Sequence, residues 1–431
     1  MRSTSLPGIA VASVLISGLY APAVLAQTPT ASAPARQSAE PTTRVEQIEL
    51  ARRQKDATLW PERESPLVAR ANRLLDRGFI EGIETGEGNN GWQLLLSGTR
   101  SGQGQTFGIG YRRSDLLNDV LTARVTARGT LRGAQLYDGE LQINHLKRSD
   151  ATFVNLYIKY ERSPQMDYYG LGAKSLKEDR TRYQLNTASG TARAGYRFTR
   201  ALNAGLDIGY GAAHTGAVSG GDIPSIETKF DAITAPGLFD DTTFLSWGAF
   251  AGFDTRNPAR GPRSGGFYGL EFRRYVDKEG GTYNHRQLDI EGQQFFPYMN
   301  QQRVLALFVK ARLAYAGKDN QIVPFYLLPT LGGSFELRSY NYYRFHDNNA
   351  FMAAVEHRWY AFSGLEMALF ADAGKTVANK GSIDFADLNY SGGIGMRVRL
   401  RGAVVLRMDV ATGREGTRWI WSISDVSRRR F

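Results

Sequence analysis

The sequence predicts an all-β protein: a transmembrane antiparallel β-barrel of about 16 strands with a short N-terminal helical segment. Three observations indicate this fold. From Trp92 onward, apolar and polar residues alternate with a period of two between turn residues. Charged residues in these stretches keep largely to one parity, which leaves an apolar face on the other. No stretch approaches ~20 continuous apolar residues, so only a closed barrel could carry the chain across a bilayer.

The N-terminal residues resemble an export signal. Arg2 supplies a positive charge, residues 6–19 are mostly apolar or small, and residues 24–26 offer a cleavage site. Residues 1–26 are therefore predicted to be a cleaved signal peptide, and the protein is expected to be exported.

The next two segments differ in composition. Residues 27–43 consist mainly of Pro, Ala, Ser and Thr, which is typical of a flexible linker. Residues 44–90 are predicted to be a helical lead-in. Within it, Ser65 and Pro66 form a good helix start, and residues 67–75 carry apolar side chains at helical spacing. The lead-in could dock on or plug a barrel, or it could be a simple packing segment.

Composition excludes several kinds of site. The chain has no cysteine, so it has no disulfide, no thiolate metal site and no cysteine nucleophile. Its net charge of +11 could indicate nucleic-acid binding, but Lys and Arg are spread along the chain and residues 428–430 are the one tight basic run. No recognition motif accompanies this charge, so we expect no nucleic-acid partner.

Residues 91–431 are predicted to form the barrel. The candidate strands are 91–99, 105–113, 120–128, 135–146, 152–162, 183–199, 202–214, 243–254, 266–276, 285–296, 304–316, 351–360, 365–374, 392–400, 404–412 and 419–425. Two long connections, 215–241 and 317–350, are expected to be extracellular and functional.

Alternation separates a lipid face from a lumen face. The outward set in three strands is Leu305, Leu307, Val309, Ala311, Leu313, Tyr315, Leu365, Met367, Leu369, Ala371, Val404, Leu406, Met408 and Val410. The inward set contains Lys310, Arg312, Glu366, Asp372, Arg407 and Asp409. A soluble β-sandwich also alternates, but charges of both signs on the inward face favour a polar lumen.

Aromatic residues gather near the predicted strand ends, at residues 168–169, 295–298 and 359–360. In a barrel they would form girdles at the depth of the lipid headgroups. Ordinary packing at strand ends is the alternative.

Two motifs then resemble a known family. Leu337-Arg338-Ser339-Tyr340, preceded by two glycines, is similar to a loop motif of the BamA/TamA/FhaC outer-membrane assembly superfamily, the bacterial surface antigen family. That motif reads Arg-Gly-Tyr or Arg-Gly-Phe. Phe370, Asp372 and Gly374 complete the family's second motif, Phe-x-Asp-x-Gly. Residues 168–172 and 254–266 look like further family segments.

The resemblance implies a specific interaction in the lumen. In this family the loop arginine folds inward and pairs with the motif aspartate, which here are Arg338 and Asp372, with Glu356 as a second anion. An arginine offers a planar fork of donors that matches a carboxylate and keeps its charge. The predicted lumen latch comprises Arg338, Asp372, Glu356, Leu337, Tyr340, Phe370 and Gly374.

The chain also departs from the family pattern. Ser339 stands where the family has glycine, so the backbone has less conformational freedom there. Residues 27–90 show no strand pattern, whereas the family's periplasmic repeat domains mix strands and helices. The chain is therefore expected to be a short member that lacks those domains.

Motifs of catalysis are not found. The five histidines form no close metal-type pair, and the sequence has neither a Gly-x-Ser-x-Gly elbow nor a phosphate-binding glycine loop. We therefore expect no catalytic, metal or cofactor site, and a protein that is not an enzyme.

The resemblance implies a function at the outer membrane of a Gram-negative bacterium. The protein would aid the insertion or transport of protein or lipid, with outer-membrane lipids and unfolded outer-membrane or secreted proteins as partners. A passive pore or structural barrel is the alternative, and a lipid-modifying barrel enzyme is a third hypothesis. The client and the oligomeric state stay open.

Overall fold

The computed structural model describes residues 44, 47, 48, 50, 51 and 54, and then 90–100, 104–143, 151–257, 261–318, 320–379, 386–400 and 403–422. The predicted signal peptide, the linker, most of the lead-in with its Ser65-Pro66 helix start, and residues 423–431 lie outside the described residues. The chain divides into two units, Met1–Gln54 and Lys55–Phe431. The described residues of the first unit are helical and exposed. No helix of the described ranges is long and apolar enough to cross a membrane.

Among the described residues of the second unit, sixteen strands form one antiparallel sheet and two short strands form a separate pair. The strands are β1 (Gly91–Arg100), β2 (Gly104–Leu116), β3 (Leu121–Thr130), β4 (Gln135–Ile143), β5 (Thr152–Tyr168), β6 (Thr181–Arg197), β7 (Leu202–Gly216), β8 (Thr242–Asp254), β9 (Gly265–Asp277), β10 (His285–Tyr298), β11 (Arg303–Ala316), β12 (Thr330–Leu331), β13 (Phe345–His346), β14 (Asn349–Phe362), β15 (Leu365–Val377), β16 (Asn389–Leu400), β17 (Ala403–Gly413) and β18 (Gly416–Ser422). The described parts of the long loops contain 3-10 helices at Lys177–Asp179, Ile226–Thr228 and Phe325–Leu327.

The large sheet is the wall of a barrel. Each strand pairs with the next along the chain, except that β11 pairs with β14 and the segment between them leaves the sheet. Cα atoms of β1 and β18 come within 8 Å of each other. No ladder pairing joins the described residues of these two strands. The barrel therefore has a seam between its first and last strands, and the predicted 16-stranded antiparallel barrel is confirmed.

The predicted division into two faces is also found. On β11, Leu305, Leu307 and Val309 are exposed, whereas Val304 and Ala306, which have the opposite parity, are fully buried. Apolar side chains thus point outward from the wall, as a barrel in lipid requires.

Val404 is an exception to this pattern. It was predicted to face outward, but it is 9% exposed and pairs with Arg399 on the lumen side. The register of β16 and β17 shifts here, so that Leu406 pairs with Val398 and Val405 is left over. An extra residue in one strand reverses the parity of the residues before it, and the prediction for Val404 was therefore wrong.

The connections alternate between the two ends of the barrel because neighbouring strands are antiparallel. One end carries the long loops 169–180, 217–241 and 317–348. The other end carries mostly shorter connections, such as the turn in which Asn300 adopts left-handed backbone with a φ of 50°. Long loops face the cell exterior in barrels of this kind.

The long loops pack together over their end of the barrel. A buried cluster joins Tyr168 and Tyr183 of the wall to Ile226 and Leu238 of one loop and Phe325 of another. The ring centroids of Tyr168 and Phe325 lie 5.1 Å apart. This cap gives the loops a hydrophobic core of their own.

Part of the predicted aromatic girdle is buried and does not lie on the outer face. Tyr168 and Tyr169 are 0% and 1% exposed, so they lie inside the cap and not at the membrane surface. Phe295 is buried as well, because its parity points it into the lumen. Phe296 and Tyr298 do face outward, with 47% and 39% exposure. Phe296 and Tyr298 are thus oriented as the girdle prediction requires, whereas the prediction was wrong for Tyr168, Tyr169 and Phe295.

Val309→Arg should destabilise the barrel by about 2–4 kcal/mol, because a charge near the centre of an outward strand face is removed from water. Leu305→Arg, near the end of the same strand and on the same face, should cost only about 0–1 kcal/mol. Urea unfolding of the protein in phospholipid vesicles would measure both. Equal losses at the two positions would contradict the assigned lipid face.

Candidate functional site

The connection between β11 and β14 turns back into the barrel. Strands β12 and β13 pair to form its neck, and residues 332–344 form its tip. The tip contains a tight turn in which Leu337 has a φ of 48° and the Tyr340 N–H donates to the Leu337 carbonyl at 2.9 Å. Leu337 and Tyr340 are buried in one hydrophobic cluster with Phe345 and wall residues of β11 and β14. This packing sets the direction in which the tip points.

Arg338 lies at the tip, is 1% exposed and is held on several sides. Its Nη2 and Nε donate to Asp372 Oδ1 and Oδ2 at 2.5 and 2.9 Å, and its backbone N–H donates to Oδ2 at 3.1 Å. Nη1 donates to Glu356 Oε1 at 2.6 Å. The guanidinium carbon lies 3.4 Å from the centroid of the Phe370 ring. The structure thus brings Arg338, Asp372, Glu356 and Phe370 together.

The three residues of the Phe-x-Asp-x-Gly motif point inward on β15. Phe370 supplies the aromatic face, Asp372 the anion, and Gly374 the space beside them. A Cβ on Gly374 would lie 2.7 Å from the Phe351 carbonyl oxygen and 3.2 Å from Leu331 Cδ1 of the neck. Phe370 thus contacts the face of the Arg338 guanidinium, Asp372 accepts its hydrogen bonds, and Gly374 leaves room for the returning loop.

Further charged residues surround this pair. Glu356 also accepts from Arg358 Nε at 2.7 Å and from Arg397 Nη2 at 3.1 Å. Asp409 lies 3.5 Å from Arg338 Nη1 and accepts from Arg407 Nε at 2.7 Å. The predicted latch lacked Arg358, Arg397, Arg407 and Asp409. The inward parity of Arg407 and Asp409 was the signal that could have suggested them.

The cluster surrounds its buried cations with carboxylates. Four guanidinium groups, those of Arg338, Arg358, Arg397 and Arg407, share three carboxylates. Burial lowers the pKa of Arg338, but Asp372 and then Glu356 outweigh it, so that this pKa is raised above its usual value. Arg338 therefore stays charged, and each carboxylate that faces it compensates for its lost hydration.

The tip is also fixed through its backbone. Ser339 N–H donates to Ser391 Oγ of β16 at 3.0 Å, and the two hydroxyls are 2.8 Å apart. Arg407 of β17 donates to the Ser334 carbonyl at 2.8 Å, and Arg418 of β18 donates to the Tyr340 carbonyl. The left-handed backbone lies at Leu337, so serine in place of glycine at 339 is accommodated. The tip thus contacts the last three strands of the wall.

The two other family-like segments bind on either side of the latch. In residues 168–172, the Gly172 N–H donates to the His346 carbonyl at 2.8 Å, which attaches the segment to the neck. In residues 254–266, Arg263 pairs with Glu366 on β15, and Arg399 donates to Glu366 at 3.1 Å and to the Gly261 carbonyl at 2.6 Å. This second segment thus contacts β15 and β16 from the opposite end of the barrel.

The residues that the structure describes hold no group of three or more His, Asp or Glu side chains that could bind a metal ion. Burial and then Arg344 lower the pKa of His346 to about 3. Its ring is therefore neutral and packs against Tyr168 as an aromatic group, with centroids 5.1 Å apart.

Arg338→Ala should destabilise the barrel by about 3–5 kcal/mol, because it leaves buried carboxylates without their cation. Asp372→Ala should also destabilise it, and the loss in the double variant should fall well short of the sum. Urea unfolding in vesicles would give the coupling free energy.

The partly exposed pair Arg312 and Asp289, 3.5 Å apart, is the matched control. Its coupling should be at most about 1 kcal/mol. Additive losses for Arg338 and Asp372 would argue against the latch.

Gly374→Ala should destabilise the barrel by about 1–3 kcal/mol, since the new methyl group has no space between β14 and the loop neck. Gly392→Ala on β16 is the control, because a Cβ there would meet its nearest neighbour, the Phe370 carbonyl oxygen, at 3.8 Å. Thermal unfolding followed by gel mobility would compare the two variants. The steric account would fail if both variants behaved alike.

Comparison with known proteins agrees with these features. Residues 88–416 match the Omp85 superfamily domain. The crystal structure of BamA from Haemophilus ducreyi lacking POTRA domains 1–3 is similar, with a TM-score of 0.58 and 15% identity over 87% of this chain and 81% of that one. No curated protein matches the sequence.

Two CdiB structures are similar at a lower level. The protein from Acinetobacter baumannii has a TM-score of 0.48 and 13% identity over 79% of this chain, and that from Escherichia coli has 0.49 and 11% over 77%. This chain spans 61% of each. The superfamily match covers well over half of the chain and confirms the predicted family: the chain belongs to the Omp85 superfamily and is a barrel of the outer-membrane assembly and translocation type.

Proposed function

We propose that the protein inserts or transports protein or lipid at the outer membrane of a Gram-negative bacterium, and that it works through the seam between β1 and β18. The predicted signal peptide would export it to that membrane. The observation that carries the proposal is the attachment of the Arg338 tip to β18, the strand on one side of the seam, through Arg418.

The seam is suited to accepting a client strand. An edge strand presents unpaired backbone N–H and C=O groups, and an incoming extended segment can bind them as an additional strand. The described residues of β1 and β18 lie near each other without a shared ladder. Opening here would cost less than opening between strands that are paired along their length.

The latch would confine this opening to the seam. Asp372 of β15 and Glu356 of β14 hold Arg338, while the tip backbone contacts β16, β17 and β18. The five strands from β14 to β18 are thus attached to one loop. If β18 moves, it moves with a braced section of wall, and β1 is free to separate from it.

Clients and lipids would meet the protein on different surfaces. An unfolded outer-membrane or secreted protein exposes strands that could pair at the seam, whereas membrane lipids contact the outer face. A wide passive pore fits less well, because the tip and its neck occupy part of the lumen and the long loops cap one end. Membership of the superfamily supports assembly or transport over an enzymatic role.

A disulfide across the seam should abolish client insertion, and reduction should restore it, because the strands could no longer separate. The chain has no cysteine, so one cysteine on β1 and one at Ile420 of β18 would be unique. The assay would follow protease protection of an unfolded outer-membrane barrel added to proteoliposomes. Among β1 positions, the one that forms the disulfide in highest yield would be used.

The control disulfide joins Ala127 and Tyr137, which are register partners on β3 and β4. It should leave insertion unchanged, since those strands stay paired throughout. Insertion at the normal rate with the seam closed would refute the proposal. A steady ion conductance without any insertion would favour the passive pore instead.

A further inference from the structure

Two arginines stand opposite each other on the outer face of the barrel. Arg274 of β9 and Arg286 of β10 are direct register partners. Their neighbours in the same row are Trp247 of β8 and Tyr315 of β11. Trp247 is an exposed outward residue, so the row belongs to the lipid face.

These arginines differ from the arginines of the lumen. Arg273, the adjacent residue on β9, points inward and donates to Asp207 at 3.0 Å and to Glu271 at 2.6 Å. Within the described part of the chain, neither Arg274 nor Arg286 has a hydrogen bond or ion pair. Like charges directly opposite each other destabilise an antiparallel strand pair. The outer face therefore carries two adjacent positive charges that the described residues do not neutralise.

The row lies at the depth of the lipid headgroups. Phe296, an outward aromatic residue at the far end of β10, is ten positions from Arg286, and a strand crosses the hydrocarbon core in about 9–11 residues. Arg286 is next to the first residue of β10, on the end that carries the long loops. The two arginines thus mark the outer boundary of the apolar belt, on the side that faces the cell exterior.

We propose that Arg274 and Arg286 bind the phosphate monoester headgroup of a lipid in the outer leaflet. Guanidinium groups bind phosphate oxygens with two parallel hydrogen bonds, and a monoester carries enough negative charge to neutralise both. Trp247 and Tyr315 flank the arginines with the aromatic side chains that favour the membrane interface. Phe272, Leu288 and Leu313 form the next row toward the membrane centre, where acyl chains would lie.

The site rests on the proposed placement in the outer membrane but not on the seam mechanism. A single exposed arginine would attract an anionic lipid only weakly. Arg162 of β5 provides that comparison, because it also faces outward near the long-loop end and its register partners Gln135 and Asn186 are uncharged. The paired arrangement is what distinguishes Arg274 and Arg286.

Native mass spectrometry of the detergent-solubilised full chain would test the proposal, with lipid A as a probe that carries two phosphate monoesters. Arg274→Gln and Arg286→Gln should each weaken lipid A binding about 5-fold, and the double variant about 30-fold. Arg162→Gln should bind like the parent protein. Arg274→Lys should bind lipid A more tightly than Arg274→Gln but less tightly than the parent protein, because the charge remains and the two parallel hydrogen bonds are lost. This difference between the two variants would show that the loss in the glutamine variants is not misfolding.

Two further probes identify the source of the phosphate. Dephosphorylated lipid A should bind as weakly to the parent protein as lipid A binds to the double variant. Millimolar inorganic phosphate should not displace lipid A, because it lacks acyl chains. Undiminished binding to the double variant, an equal loss in Arg162→Gln, or displacement by phosphate alone would each overturn the site. Client insertion by the double variant, measured separately, reports on the proposed function and not on the lipid.

Discussion

The arrangement of the lumen depends on one buried cation. Arg338 leaves water when the loop folds inward, and a buried guanidinium is tolerated only when carboxylates and further hydrogen bonds replace its hydration. Asp372 and Glu356 supply the carboxylates from two adjacent strands, and Phe370 covers one face of the group. These partners converge from different elements, so the loop, β14 and β15 can reach this state only together. The loop and the wall of the barrel therefore fold into this arrangement cooperatively.

Contacts around the latch extend toward both ends of the barrel and toward the seam. On the exterior side the neck of the loop takes part in the cap, where His346 contacts residues 168–172. On the opposite side Arg263 and Arg399 share Glu366. The tip reaches β18 through Arg418. The strands attached to the loop thus end at β18, where the described sheet has no ladder to β1. The same loop therefore makes one section of the wall rigid and, in the proposed mechanism, confines the opening to the seam.

The outer face follows a different rule. Lipid cannot hydrate a charge, so the described outward positions are apolar across most of the wall, and the charged ones among them lie near the ends of strands. Arg274 and Arg286 lie at such an end, and their proposed ligand is part of the membrane. The arginines of the lumen are thus paired with carboxylates of the protein, whereas the proposed counter-ion of the two outer arginines is a phosphate of the surrounding lipid.

Period-two alternation was sufficient to predict all sixteen strands of the sheet and to place Asp372 and Glu366 inside the barrel, because alternation is a local property of an extended chain. The pairing of Arg338 with Asp372 could be expected only from family resemblance. The inward parity of Asp409 placed it in the lumen, but its contact with Arg338 was not predictable. Neither were the contact of Arg397 with Glu356, the reversal at Val404 and the burial of Tyr168. They depend on strand register, on a bulge and on the path by which distant loops return, and these are settled only when the whole wall has assembled.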